Sequence, residues 1–341
     1  MALEHAQVRG LSEWQPLARG GFAVVWKARQ LSLDRLVAVK VYSRTLDDEG
    51  QQRRFLQEAA AAGRLSNHPG IVTVHDAGIL PDERPYLLME LCPGGSLTAW
   101  LQEGQRPSED RVRQVGVRIA DALAAAHAGG VLHRDVKPAN ILMNTYGVPE
   151  LSDFGLAAVS SPQVELTPEA LHITPTYAPP ETLRGQPATE FGDVFSLAAT
   201  LYALLAGRPP RQVESTPATR ATMSPLAEQR IEPLADVDWH LMDLLMTALS
   251  DNSAARPTAA RFRDQLSAVD LPVTGRRAAF GPYPVVPARE RGAEGHHLLH
   301  PPSRTLVKAR RRQRRAASLL SVTLAVASFA LGAFAVWMFV V

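Results

Sequence analysis

Cysteine is nearly absent from this sequence of 341 residues. The single thiol, Cys92, excludes an intramolecular disulfide and a cysteine-rich zinc site, which suits a reducing compartment. The first residues, MALEHAQVRG, lack the apolar core of a secretory signal peptide, so we expect no translocation of the N-terminal part. No internal repeat is evident. These absences exclude disulfide-rich, zinc-ribbon and repeat architectures.

The overall composition is that of a globular chain. Hydrophobic residues make up 46% and charged residues 21%, and the length is sufficient for two lobes or domains with a sizeable core. The formal net charge of +2 hides an uneven distribution, because much of the basic excess lies in residues 308–315. The mean charge therefore describes one end of the chain and says little about the rest.

Residues 131–155, VLHRDVKPANILMNTYGVPELSDFG, carry polar side chains between apolar runs. Phosphoryl transfer needs a carboxylate that accepts the proton of the attacking hydroxyl, and a carboxylate and an amide that hold Mg²⁺ against nucleotide phosphates. Asp135, Asp153 and Asn140 can fill those roles in that order. Either HRD or DFG alone could occur by accident in a solvated turn, but both together after apolar residues are much harder to obtain by chance.

These two motifs resemble the catalytic loop and the metal-binding loop of the protein kinase family. The form DVKPAN, from Asp135 to Asn140, resembles the serine/threonine branch. The resemblance covers about residues 8–270 and implies an α+β, two-lobed protein kinase fold, with a β-rich N-lobe near 8–92 and a helical C-lobe near 93–270. It also implies ATP with Mg²⁺ or Mn²⁺ as cofactors, and protein substrates with serine or threonine acceptors.

The nucleotide site implied by the resemblance begins in a hairpin, residues 17–25, LARGGFAVV. Only Gly20 matches the glycine-rich loop of kinases, since Ala18 and Ala23 occupy the positions of the first and third glycines. Taken alone this motif is weak and an ordinary hairpin turn explains it better, but its place ahead of Lys40 raises its value. The nucleotide-binding set consists of Ala18, Gly20, Gly21, Ala23, Val25, Ala38, Lys40, Glu90, Cys92, Asn140 and Asp153.

Lys40 interrupts an apolar strand, residues 36–41. A lysine in such a run usually lies on an exposed face or a strand edge, whereas the kinase resemblance makes it a ligand of the α- and β-phosphates that pairs with a glutamate on the next helix. We expect that helix over residues 53–65. Glu58 on it is either a surface partner of Arg54 or, by its spacing, the partner of Lys40, which we prefer. The catalytic set is then Lys40, Glu58, Asp135, Lys137, Asn140 and Asp153, with Asn140 and Asp153 as metal ligands.

The hinge between the lobes is assigned by position. Met89 stands as the gatekeeper, and residues 90–92 form the segment whose backbone would bind adenine. Cys92 is expected to be a small hinge residue and not a reactive thiol, because no base is evident beside it. Apolar residues at three- and four-residue steps predict a long helix over 109–128, on which His127 is expected to pack rather than to bind a ligand.

The activation segment implied by the resemblance runs from Asp153 to Glu181. Ile173 and Pro179 depart from the family pattern, while Thr174 keeps the position that contacts the catalytic aspartate in serine/threonine kinases. We expect autophosphorylation at Thr167, with Ser160 and Ser161 as rivals, and Arg134 as the cation that orders the phosphorylated loop. The alternative is that Thr167 and Pro168 form only a flexible turn.

Two further pairs complete the kinase domain. The family has a buried ion pair at the positions of Glu181 and Arg256. The following helix is expected near 191–197, and its aspartate Asp193 is expected to hold the backbone of the catalytic loop. A further apolar helix is expected over 201–205. Both contacts are structural, whether or not the chain is active.

The C-terminal part differs in amino-acid composition from the kinase-like region before it. Prolines and glycines predict an extended linker over 271–307, in which His296 and His297 are solvated. The basic run 308–315 alone would suggest nucleic-acid binding, but it precedes 23 residues, 319–341, without a charge. A bilayer core needs about 20 such residues. We therefore expect a transmembrane helix over 316–341, anionic headgroups beside the basic run and a cytoplasmic kinase domain on a single-pass membrane protein.

The sequence thus predicts a membrane-anchored serine/threonine protein kinase with a signalling role, similar to the bacterial membrane kinases. A homodimer for trans-autophosphorylation is an expected partner, and nucleic acid is not. Those kinases usually carry an external sensor, so with a chain ending at Val341 sensing is expected through the membrane, a partner or the cytoplasm, unless the sequence is truncated. The alternative is a pseudokinase scaffold, favoured by Ala18, Ala23, Ile173 and Pro179 and opposed by the complete catalytic set.

Overall fold

The computed structural model describes residues 8–104, 106–154, 174–212 and 225–271. The N-terminal part is a five-stranded antiparallel sheet in the order β1-β2-β3-β5-β4. Its strands are β1 (Leu11–Arg19), β2 (Ala23–Gln30), β3 (Arg35–Tyr42), β4 (Val74–Ile79) and β5 (Pro85–Glu90). Because side chains alternate along a strand, the central β3 directs Val37, Val39 and Val41 to one face and Ala38, Lys40 and Tyr42 to the other.

One helix, α1 (Glu49–Leu65), covers the second face of the sheet. It begins four residues before the predicted start at 53, because the Asp48 side chain accepts a hydrogen bond from Gln51 N at 2.8 Å and caps a first turn that has no apolar periodicity. Phe55 and Ala59 pack against Ala38 of β3. The sheet and α1 together form the N-lobe.

The helical lobe follows the hinge. Its helices are α2 (Leu97–Gln102), α3 (Glu109–Ala128), α4 (Pro180–Leu183), α5 (Glu190–Ala206), α6 (Trp239–Ala248) and α7 (Ala259–Ala268). A short hairpin of β6 (Ile141–Met143) and β7 (Pro149–Leu151) lies between α3 and the helices after it. The predicted apolar stripe of α3 is confirmed, since the side chains expected to face inward are all buried: Val112, Val115, Ile119, Leu123 and Ala126.

The central helix of this lobe is α5, which the sequence predicted as two separate pieces near 191–197 and 201–205. It is one helix because Thr189 caps its start, accepting from Gly192 N, and Gly207 ends it at φ 73°. Helix α3 crosses it closely at Gly116, where a Cβ would lie only 2.7 Å from Leu201. Residues 192–204 are all buried, so α5 has no polar face that would show a helical period.

No helix in the described part of the chain is long and apolar enough to cross a membrane. The predicted basic run 308–315 and transmembrane helix 316–341 lie outside the described residues, as does the predicted linker except for its first residue. That residue, Leu271, is 9% exposed and joins the core of the helical lobe. The apolar core of the helical lobe therefore includes this leucine.

Candidate active site

The catalytic loop is held by the first turn of α5. The Asp193 carboxylate accepts backbone N–H groups from His133 at 2.8 Å and from Arg134 at 2.7 Å, which confirms its predicted role. Arg134 has φ 70°, a conformation that costs energy for a residue other than glycine. His127 on α3 also reaches the Asp193 carboxylate at 2.9 Å, so it contributes a hydrogen bond as well as packing. The loop is thus fixed from two helices.

Two side chains contact the carboxylate of Asp135, and a third is joined to it through Lys137. Lys137 Nζ lies 2.7 Å from Asp135 Oδ2 and donates a hydrogen bond to Thr174 Oγ1 at 2.8 Å. The amide nitrogen of Asn140 donates to the Asp135 backbone oxygen at 2.8 Å and to Oδ2 at 3.1 Å. Thr174 was expected to contact the aspartate, and its hydroxyl instead bonds Lys137. The structure therefore brings Asp135, Lys137 and Asn140 together and joins Thr174 to them through the lysine.

Lys40 of β3 forms an ion pair with Asp153, with 2.7 Å between Nζ and Oδ1. Burial alone would lower the pKa of Lys40, but the Asp153 carboxylate raises it above its ordinary value. For Asp153 burial acts to raise the pKa, and the lysine outweighs it and holds that pKa low. Both groups are therefore charged at neutral pH.

The predicted ion pair between Lys40 and Glu58 is wrong in this structure. The Lys40 ammonium binds Asp153, and Glu58 Oε2 is buried without a hydrogen-bond partner. Burial raises the pKa of Glu58, and the nearby Arg134 guanidinium opposes that rise. The physical reason is that the partner depends on the packing of the folded chain: the Lys40 ammonium contacts Asp153, and the spacing in the sequence does not show which carboxylate it binds.

A buried histidine joins the catalytic loop to the segment that carries Asp153. His133 Nε2 lies 2.8 Å from the backbone oxygen of Ser152, and the His133 ring packs edge-on against Phe154 with 4.8 Å between centroids. His133 is fully buried. His133 had no predicted role, although an imidazole between two apolar residues and Arg134 was a signal for a buried polar contact. These contacts hold the segment that carries Asp153 against the catalytic loop.

An apolar cluster near the hinge includes residues of both lobes. Val25, Ala38, Met89 and Cys92 belong to one cluster, which Leu142 of β6 joins from the helical lobe. Val25 and Ala38 were predicted to line the nucleotide site and the structure brings them together. Leu142 was missed, although it follows Asn140 by only two positions in an apolar strand. Glu90 ends β5, where its N–H donates to the Thr73 oxygen at 2.9 Å.

The glycine-rich hairpin turns tightly between β1 and β2. Gly20 N donates to the Ala23 oxygen at 2.9 Å, and Gly21 lies in the same turn. Ala18 pairs with Val25 across the two strands, and Ala23 begins β2. Neither alanine adopts a positive φ. The two alanines that replace the expected glycines therefore fit the hairpin without backbone strain.

The side chains of Cys92, in the hinge, and Glu150, in β7, are in contact. The thiol lies 3.9 Å from Glu150 Oε2, and burial together with Glu150 and Glu90 raises the pKa of Cys92. A thiol with a raised pKa is a poor nucleophile, in line with the expectation for Cys92. Glu150 is 5% exposed and accepts from Asn144 Nδ2 at 2.6 Å. Burial, strengthened by Glu90, raises the pKa of Glu150 to about 7.

The donor set around Asp153 and Asn140 fits a magnesium ion that also binds nucleotide. Within residues 8–271, where described, no group of three or more His, Cys, Asp or Glu side chains could hold a metal. Mg²⁺ commonly takes one or two protein ligands and completes its shell with phosphate oxygens and water. Asn140 uses its amide nitrogen toward Asp135, so its amide oxygen remains for a cation.

The predicted ion pair between Glu181 and Arg256 is confirmed. Two parallel hydrogen bonds of 2.6 and 2.8 Å join the guanidinium to the carboxylate, and both residues are buried. Arg256 also donates to the Phe191 oxygen at 3.2 Å and stacks on the ring of Phe195. The pair anchors α4, which ends the activation segment, to the helical core.

The structure has a sheet lobe, a helical lobe and an apolar cluster that includes residues of both. Together with a lysine, two aspartates and an asparagine in the contacts described above, these features define the class of protein kinase domains. Residues 11–266 match the family model described as "Protein kinase domain". The chain belongs to that family, as its motifs predicted, and proteins of this family use ATP and Mg²⁺.

Curated relatives are bacterial serine/threonine kinases. The chain is 39% identical over 257 residues to serine/threonine-protein kinase PknK of Mycobacterium tuberculosis, covering 74% of this chain and 23% of the relative. It is 36% identical over 267 residues to serine/threonine-protein kinase pkn3 of Myxococcus xanthus, covering 74% and 49%. The predicted resemblance to the serine/threonine branch is confirmed. The alignments span less than half the length of these relatives.

Proposed function

We propose that this chain is an ATP-dependent serine/threonine protein kinase that is anchored to the membrane by its C-terminal segment and acts in signalling. The observation that carries the catalytic part is the convergence of Lys137, Asn140 and Thr174 around Asp135, close to the ion pair of Lys40 with Asp153. This arrangement supplies a base, cations and metal ligands in one place.

Each residue has a role that its contacts support. Asp135 accepts the proton of the substrate hydroxyl, and Lys137 beside it offers positive charge where the transferred phosphoryl group carries negative charge. Asn140 and Asp153 hold Mg²⁺, which neutralises charge on the phosphates when it is bound. Lys40 binds the α- and β-phosphates.

The competing proposal is a scaffold that binds nucleotide without transferring phosphate. Two of the departures that favoured it, Ala18 and Ala23, fit the hairpin without strain. Ile173 lies outside the described residues, and Pro179 has φ −71°, which suits proline. The complete set of catalytic side chains therefore favours the enzyme.

Phosphotransfer by the full-length chain tests the proposal. The purified protein is incubated with labelled ATP, Mg²⁺ and a generic protein acceptor, and phosphoserine and phosphothreonine are measured. Asp153→Asn removes a metal ligand and should abolish most of the transfer. Asp110→Asn, an equivalent change in an exposed surface pair on α3, should leave it intact. Transfer by Asp153→Asn at the wild-type rate would contradict the assigned site.

Autophosphorylation at Thr167, Ser160 or Ser161 remains part of the proposal, and these residues lie outside the described part of the chain. Arg134 adjoins Asp135 in the sequence and is the cation proposed to bind the phosphorylated loop. Mass spectrometry of active protein should find phosphate within residues 156–176. Its absence there would count against this mode of regulation, including a homodimer that phosphorylates itself in trans.

A further inference from the structure

Two buried polar atoms near the nucleotide site have no hydrogen-bond partner. They are the hydroxyl oxygen of Tyr42, at the end of β3, and Oε2 of Glu58 on α1. The Tyr42 ring packs edge-on against Phe55 of α1, with 5.8 Å between centroids. The strand and the helix are therefore in direct contact at this point. A buried polar atom without a partner destabilises a fold, because it has lost water and gained nothing.

The Tyr42 ring lies near Lys40, and the carboxylates of Asp153 and Glu58 influence the pKa of its hydroxyl. Lys40 Nζ lies 5.3 Å from the centre of the Tyr42 ring. Burial raises the pKa of Tyr42 to about 12, and the Asp153 and Glu58 carboxylates add to the rise while Lys40 opposes it. The phenol is therefore a neutral hydrogen-bond donor at physiological pH. An unpaired donor and an unpaired acceptor thus lie in the same small region.

The proposed reaction would change the ion-pair partner of Lys40. Its ammonium is bound to Asp153, which is also the proposed metal ligand. A metal held by Asp153 would draw that carboxylate away from Lys40, and Glu58 on the adjacent helix has an Oε2 atom without a hydrogen-bond partner. A hydrogen bond from Tyr42 would hold Glu58 for this exchange.

We infer that Tyr42 is a positioning residue, whose hydroxyl donates to Glu58 in the nucleotide-bound state and directs that carboxylate toward Lys40. The inference rests on the proposed function, since it takes Lys40 as a phosphate ligand. A phenylalanine would keep the contact with Phe55 and bury no unpaired oxygen. The hydroxyl thus destabilises the nucleotide-free state and stabilises the state with nucleotide.

Comparing Tyr42→Phe with wild type in the full-length chain measures the effect of the hydroxyl on the nucleotide-free state and on the nucleotide-bound state. Without nucleotide the variant should melt about 2–4 °C above wild type, because an unpaired buried hydroxyl is gone. The rise in melting temperature on adding Mg²⁺ with a non-hydrolysable ATP analogue should be smaller than for wild type. Phosphotransfer should fall about tenfold, the effect expected for losing a hydrogen bond to a charged group. Tyr86→Phe, which removes a phenol on the opposite face of the same sheet, is the matched control.

A double-mutant cycle tests whether Tyr42 acts through Glu58. In a Glu58→Ala background, Tyr42→Phe should change phosphotransfer less than about twofold. The inference is overturned if Tyr42→Phe is as active as wild type, or loses activity equally in both backgrounds, or melts lower than wild type without nucleotide.

The same measurements would give a different result if the proposed function were wrong. Wild type that is stabilised by the nucleotide analogue but transfers no phosphate would contradict the enzyme, and the melting comparison would still decide the role of Tyr42. Wild type that gains no stability from the analogue would overturn both.

Discussion

At the scale of single residues, Glu150 shows how burial changes a carboxyl group. It is 5% exposed, and burial with the nearby Glu90 raises its pKa from the ordinary value of 4.5 to about 7. Between these pH values the folded protein keeps the proton, whereas the unfolded chain has lost it. The folded state therefore binds more protons, and its stability falls as the pH rises through this window.

Glu150→Gln removes the titrating group and keeps an oxygen for Asn144. We expect no gain in stability at pH 4, a gain that grows as the pH rises from 4.5 to about 7, and a plateau of about 1–3 kcal/mol at pH 8. Denaturant unfolding at several pH values measures it, with Glu228→Gln at an exposed position as the control. Equal stability of variant and wild type at pH 8 would show that Glu150 does not titrate as described.

The sequence predicted the residues that carry chemistry better than it predicted their partners. Asp135, Asn140 and Asp153 follow from motifs in which residue type and spacing are both fixed. The partner of Lys40 did not follow, because the ammonium contacts Asp153, which lies far from it in the sequence, and not Glu58 on the next helix. Glu150 was missed for a similar reason, since a glutamate within PEL gives no sign of its burial.

At the scale of elements, the pair of Glu181 and Arg256 connects the end of the activation segment with the helical core. Both side chains are buried, and two short hydrogen bonds join them. Removing one partner leaves the other charge buried and uncompensated, which is far more costly than removing both.

Arg256→Met should lower the free energy of unfolding by about 3–5 kcal/mol, since Glu181 is then unpaired. The double variant Glu181→Met with Arg256→Met should recover part of that loss. Arg230→Met, which breaks an exposed pair with Glu232, should cost no more than about 1 kcal/mol. Urea unfolding measures all three. If Arg256→Met were as stable as Arg230→Met, the buried pair would not anchor α4 to the helical core.

Helix prediction succeeded where one face of the helix is polar. The period of α3 gave its bounds, Glu109–Ala128, because buried and exposed residues alternate along it. Helix α5 was divided because it is buried on all sides from Gly192 to Leu204 and shows no period. The start of α1 was placed late because a polar first turn depends on the Asp48 cap and not on apolar spacing.

At the scale of the whole molecule, membrane attachment is the part of the proposal that depends on the sequence alone. Residues 319–341 carry no charge, and six cations lie in 308–315. Moving those cations across a bilayer is unfavourable, so the kinase domain is expected on the cytoplasmic side.

Full-length protein should stay with membranes through high-salt and carbonate washes. Deleting residues 316–341 should leave at most a salt-sensitive attachment, because contacts between the basic run and anionic headgroups are screened by salt and an inserted helix is not. Protease added outside intact cells should not digest the N-terminal domain. Release of the full-length chain by salt, or digestion of that domain from outside, would refute the proposed topology.

The central claim is that Asp135 acts as the base in phosphoryl transfer from ATP. Its most direct measurement is the single-turnover rate of transfer to a protein acceptor by the wild-type chain and by Asp135→Asn, with ATP binding measured on the same samples. The asparagine keeps the shape of the side chain and cannot take a proton. We predict that the rate falls by about 10²- to 10⁴-fold while ATP affinity stays close to that of wild type. An Asp135→Asn variant that transfers phosphate as fast as wild type would contradict the claim.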